Sequence, residues 1–208
     1  MRTPRSLQSL LRRFRRNERG AAAVEFALIL PFLLLLYMGS IEASALFTVD
    51  RRVEVIAATN ADLLARWNPN LGQIPSNTVR DYFRASEGII TPYVTTGLKQ
   101  VVSFLSVAAD GTARVVWSCG WNGGTSLPNN QVYPLKVQMK RLVTGATLQP
   151  NGSLTNGKAG FLVASTTEYS YKPLLGMVFP NALNLHSEAL FLPRFGQTLS
   201  APNGNCPT

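Results

Sequence analysis

Hydrophobic positions fall into two regimes along the chain. From Ala21 to Val49 they form a run without period, and between Glu25 and Glu42 there is no formal charge. About 20 apolar residues at 1.5 Å each cross a bilayer's hydrocarbon, so the run predicts one transmembrane helix over 21–49. Beyond it, Ile41 to Arg66 contains no Pro or Gly, and Leu46, Val49, Val53, Ile56, Ala57 and Leu64 approximate one apolar stripe. Asp50, Arg51, Glu54 and Asp62 lie elsewhere. The helix is therefore expected to continue as an amphipathic segment to about 66, laid across a sheet, until Trp67-Asn68-Pro69-Asn70 stops it. Two helices broken near Gly39-Ser40 are the alternative. Pro31 removes one helix hydrogen bond and predicts a kink near Ala27 to Pro31. Leu33 to Leu36 show no preferred face and suit lipid, whereas Met38, Gly39, Ser40, Ala43 and Ser44 permit close contact with a partner helix.

The remaining pattern is mostly that of strands. Thr78 to Gly88 predicts a short helix capped by Thr78 or Asn77. Lys99 to Ala108 and Thr112 to Cys119 predict a hairpin around Ala109-Asp110-Gly111. Gly120 to Gln131 reads as an irregular loop, Val132 to Val143 suits either strand or helix, and Leu148 to Gly160 is turn-rich. Gly160 to Tyr171 returns to strand, with Tyr169 and Tyr171 on one face and Glu168 and Ser170 on the other. His186 to Arg194 predicts the last strand. The fold class expected is α+β: one long N-terminal transmembrane helix followed by an antiparallel sheet domain over 67–208.

Charge orients this plan. Of 208 residues, with a net charge of +9, positions 1–19 hold Arg2, Arg5, Arg12, Arg13, Arg15, Arg16 and Arg19 against the single acid Glu18. A basic flank directly before a membrane helix stays in the cytoplasm, so residues from about Asp50 onward are expected outside, in the periplasm. No folded basic surface accompanies the arginines, and no nucleic-acid partner is expected. A removable signal peptide ending at Ala43-Ser44-Ala45 is the competing account of a basic start and an apolar run, disfavoured because the helical pattern continues through it.

The junction reads Arg19-Gly20-Ala21-Ala22-Ala23-Val24-Glu25-Phe26-Ala27-Leu28. A carboxylate at the edge of hydrocarbon is costly without a partner and is a functional candidate by default. A basic tail, a small-residue junction, a carboxylate five residues after a glycine and an uninterrupted apolar run together resemble the processing site of type IV pilins and pseudopilins. The wording Gly20-Ala-Ala-Ala-Val-Glu25-Phe26 is most similar to the TadE-like family of Tad (Flp pilus) assembly proteins. Tyr169-Ser170-Tyr171-Lys172-Pro173 also resembles a strand motif of that family. The resemblance implies a pilin-like fold and cutting by a membrane-embedded prepilin peptidase between Gly20 and Ala21. Ala21 would become the mature N-terminus, and Glu25 would pair with a released α-amine during assembly. It further implies other Tad pseudopilins, the Flp pilin and inner-membrane platform proteins as partners. An uncut, permanently anchored periplasmic scaffold of the same machinery is the alternative. Glu42 is expected at the periplasmic boundary, or paired with arginines of a partner, and is not assigned as a site.

Candidate chemistry changes this picture little. His186 is the single histidine and lacks the spacing of a metal motif; GxSxG, GxGxxG and phosphate-loop patterns are missing from the sequence. No enzyme activity, cofactor or metal is expected. Cys119 and Cys206 both fall beyond the membrane segment, where disulfides form. A bond between them would staple the C-terminal tail to the hairpin's second strand; free cysteines or an intermolecular bond are the other possibilities.

Overall fold

The computed structural model describes residues 20–173, 176, 180–196, 198–203 and 206. The basic leader before Gly20, with Arg19, lies outside them. Helix α1, Ala21–Ala65, is unbroken across both Pro31 and Gly39-Ser40. Ser40, Thr48 and Thr59 donate their hydroxyls back to the carbonyls of Tyr37, Ser44 and Val55, which satisfies these polar side chains within the helix. Arg66 caps the C-terminus, its N–H donating to Asp62 O at 3.1 Å. A 3-10 turn, Pro69–Leu71, then leads to helix α2, Ser76–Glu87. This helix begins two residues earlier than the sequence pattern suggests, because Pro75 stands at its N-cap in extended conformation.

The sheet contains β1 (Leu98–Val107), β2 (Ala113–Trp121), β3 (Val132–Tyr133), β6 (Gly160–Tyr171) and β7 (Leu183–Phe191), in the order β3-β2-β1-β6-β7, with every pair antiparallel. The ambiguous segment 132–143 resolves into both elements: β3 ends before Pro134, and helix α3, Val137–Thr144, follows. The turn-rich segment contains a small hairpin of β4 (Thr147–Leu148) and β5 (Leu154–Thr155). The last strand starts at Leu183 and ends at Phe191, ahead of Pro193 rather than including it.

Period-two alternation sends each strand's residues to two cores. Toward α1, four rows cross the sheet: Leu98, Tyr169, Leu185; Gln100, Thr167, Ser187; Val102, Ser165, Ala189; and Phe104, Val163, Phe191. On the opposite face Leu105, Val107, Val115, Leu162 and Ala164 pack beneath α3 and the β3 region. A bulge between Phe104 and Leu105 leaves Val116 unpaired, so that Trp117 and Cys119 join the α1 core while Val115 and Ala113 join the other. Two glycines permit the loop after β2 to lie flat on the sheet. A Cβ at Gly120 would meet Gly124 O at 1.9 Å, and one at Gly124 would meet Gln100 O at 2.3 Å.

Candidate functional site

Helix α1 has two halves with different surroundings. From Gly20 to Tyr37 the described side chains are exposed, and contact with the domain begins at Met38. At 1.5 Å per residue this free segment is about 27 Å long, and Phe26, Leu28, Phe32, Leu35 and Leu36 each leave more than half their surface uncovered. An apolar surface of this extent needs lipid or other helices around it. The segment belongs to the one described helix long and apolar enough to cross a membrane. The second half is docked: Val49, Val53 and Ile56 pack on Leu98, Tyr169 and Tyr171, while Ala61, Leu64 and Ala65 pack with Phe83, Phe104, Val163 and Leu199.

At the free end Gly20 is the N-cap residue, with φ −83° and ψ −21°, and makes no side-chain cap. A Cβ added there would meet nothing within 4 Å. The chain's own conformation therefore places no demand for glycine at this position. Ala21 opens the helix. Glu25 follows it by four residues, one turn along the same face, is exposed, and among the described residues makes no hydrogen bond or ion pair. Pro31 leaves the Ala27 carbonyl without its helix donor, within a segment assigned as helix on both sides.

Glu42 is not at an open boundary. It is 3% exposed, at the end of the domain nearest the free segment of α1. Its carboxylate acts on Tyr171, whose hydroxyl is pushed above its ordinary value first by burial, then by Tyr93 and then by Glu42. The neighbouring Tyr169 donates to Val94 O at 3.0 Å, tying β6 to the loop before β1. Arg52 donates from α1 to the carbonyls of Ile89, Ile90 and Thr91 at the same end.

At the other end of the domain Cys119 and Cys206 are bonded to each other, with Cα atoms 5.2 Å apart. The tail is further held by Trp117 Nε1–H donating to Leu199 O at 2.8 Å and by Asn203 N–H donating to Ile74 O at 2.9 Å. Arg194 reaches back to α1, its N–H donating to Ala65 O at 2.9 Å and its guanidinium to Asp62 at 3.0 Å.

A polar network that apolar periodicity does not reveal lies in the middle of the α1 interface. Asn60 Nδ2 donates to Gln100 Oε1 at 2.6 Å, and the Ser86 hydroxyl is shared between Gln100 Oε1 at 2.7 Å and Phe83 O at 2.8 Å. All three residues are at most 1% exposed. The signal was present: Asn60 occupies a core phase of the stripe formed by Ile56, Ala57 and Leu64. Elsewhere, Glu168 and His186 approach to 3.7 Å on the outer face of the sheet, and among the described residues no three His, Cys, Asp or Glu side chains gather as a metal site.

Together these features define an α+β protein in which one helix, long and apolar enough to cross a membrane, is also the spine under an antiparallel sheet. A family model described as TadE-like protein matches residues 20–61. The match starts at Gly20 and runs along α1 past Asn60 without reaching a strand, so the similarity to TadE-like proteins covers the spine and leaves the sheet domain unmatched. No curated protein and no solved structure matches the chain.

Proposed function

We propose that this chain is a non-enzymatic minor pseudopilin of a Tad (Flp) pilus and secretion system, cut by a prepilin peptidase between Gly20 and Ala21. The basic leader holds the precursor with its N-terminus in the cytoplasm of a bacterial inner membrane and its sheet domain in the periplasm. Removal of the leader creates an α-amine at Ala21, one turn from Glu25. That amine, on the same chain or on a neighbour, neutralises a carboxylate which is otherwise costly in hydrocarbon. The free apolar segment then leaves lipid for the helices of other Tad pseudopilins and the Flp pilin, while the docked half of α1 carries the domain alongside.

One observation carries this reading: the residues on which the family match begins are not required by the chain's own fold. Gly20 has negative φ with open space around it, and Glu25 makes no contact with the domain. Their identities answer to something outside the described structure, as a protease and a packing partner would require. A strain carrying Glu25→Ala tests the assembly role. Its precursor should be made and inserted at the normal level, while the chain is lost from sheared pilus fractions and surface piliation falls at least tenfold. Unchanged piliation with unchanged copurification would instead favour the uncut scaffold.

A further inference from the structure

The apolar stripe of α1 determines which face docks on the sheet but only weakly determines where along its length. Val49, Val53 and Ile56 recur at about one-turn intervals and Leu64 follows two turns on, so displacement by a turn, about 5.4 Å, sets one aliphatic side chain near the seat of another over most of the stripe. One-turn ratchets between packed elements are a known mode of structural change. Here the central seat is built of small and polar side chains: Gln100, Thr167 and Ser187 in one row, Val102, Ser165 and Ala189 in the next.

Asn60 breaks the repeat. It is the α1 residue that meets Gln100, and a slip in either direction would put Ile56 or Leu64 over the buried amide and take Asn60 away from it. Glu42, the other buried polar residue of α1 among those described, precedes Asn60 by eighteen residues, about five whole turns, and so shares its face. We propose that Asn60, together with Gln100 and Ser86, is a positioning device that locks α1 in one axial register on the sheet. The lock thereby fixes how far the free segment bearing Glu25 stands from the domain. This inference goes beyond the assembly reading and does not depend on cleavage at Gly20.

The seam is poorly suited to being a simple source of adhesion. Among the described residues, Asn60 Oδ1, Gln100 Nε2, Ser165 Oγ and Thr167 Oγ1 are buried without hydrogen bonds. Replacing a partly satisfied buried network by aliphatic side chains is often neutral or stabilising, whereas single buried amides are well suited to specifying register.

The test uses the full-length chain in lipid nanodiscs, with spin labels at Arg51→Cys on α1 and Lys158→Cys at the domain's far end. The native cysteines are bonded to each other and do not take label. The parent should show one narrow distance distribution. In Asn60→Leu/Gln100→Leu, the account expects cooperative unfolding within a few degrees of the parent, but a distribution broadened or split by about one helical turn, 5 Å. In Ile56→Asn/Asn60→Ile, which moves the amide down the helix by a turn, the main distance should shift by a similar amount. A double-leucine variant that keeps the parent's single distance, or that no longer folds, overturns the lock. So does a swap variant whose helix stays in place; if the swap does not fold, the double-leucine distances decide.

Discussion

At the residue scale, the start of α1 holds two residues that lie apart from the domain. Gly20 and Glu25 stand out because a glycine and a carboxylate interrupt a simple pattern, and neither touches the sheet. Gly20→Val and Glu25→Ala should therefore leave the unfolding free energy of the purified chain within about half a kcal/mol of the parent, the usual range for exposed substitutions. A large destabilisation in calorimetry would mean that these residues do serve the fold. Asp110 is a contrasting case. Its carboxylate is held below the ordinary range chiefly by the N–H of Thr112 in the hairpin turn. A carboxylate with a depressed folded pKa stabilises the protein above its unfolded value, near 4, and loses that contribution as pH falls through the folded value. Asp110→Asn should accordingly flatten the acid side of the stability curve, measured by denaturant unfolding across pH 2 to 6, while a parallel downward shift at all pH values would contradict this role.

At the element scale, glycines and the disulfide control the loop after β2 and the tail. Gly124→Ala forces a Cβ to within 2.3 Å of the Gln100 carbonyl, backbone that cannot swing aside. Denaturant unfolding should show a loss of about 3 kcal/mol, the upper range for overpacking; a loss under about 0.5 kcal/mol would mean that the loop lifts away freely. The hairpin and the strand 160–171 were legible because each carries its period over many residues, and the helix because a long apolar run passes without Pro or Gly after Ser40 into an amphipathic stripe. What failed to show was set by tertiary partners or by single prolines. The segment 132–143 divides at Pro134, which sequence periodicity alone does not weigh, and its two-residue strand exists only because β2 offers an edge. Asn60 was read through because a helical stripe counts apolar positions and tolerates one polar member, whereas its partner Gln100 lies 40 residues away. A charge at the end of an apolar run marks Glu42 as a boundary residue, and its burial by the domain is a tertiary property that the run does not reveal.

At the scale of the whole molecule, one helix runs from a free apolar segment of membrane-spanning length to a sheet whose far end is tied by covalent and polar contacts. The Cys119–Cys206 bond spans 87 residues, and loop-closure entropy for that length predicts about 4.6 kcal/mol of stabilisation. Cys119→Ser/Cys206→Ser should lower the denaturation midpoint by a corresponding amount without releasing the chain from membranes, as followed by membrane fractionation and unfolding of the extracted protein. An unchanged midpoint would mean that the Trp117 and Asn203 contacts alone hold the tail. The free segment is independent of that end, since the helix from Gly20 to Tyr37 stands clear of the domain. The proposed cut between Gly20 and Ala21 is tested by the intact mass of the membrane-extracted protein from cells with and without the prepilin peptidase. A chain starting at Ala21 is expected, reverting to a start at Met1 when the peptidase is missing; a start at Met1 in both strains would mean that no cut is made there.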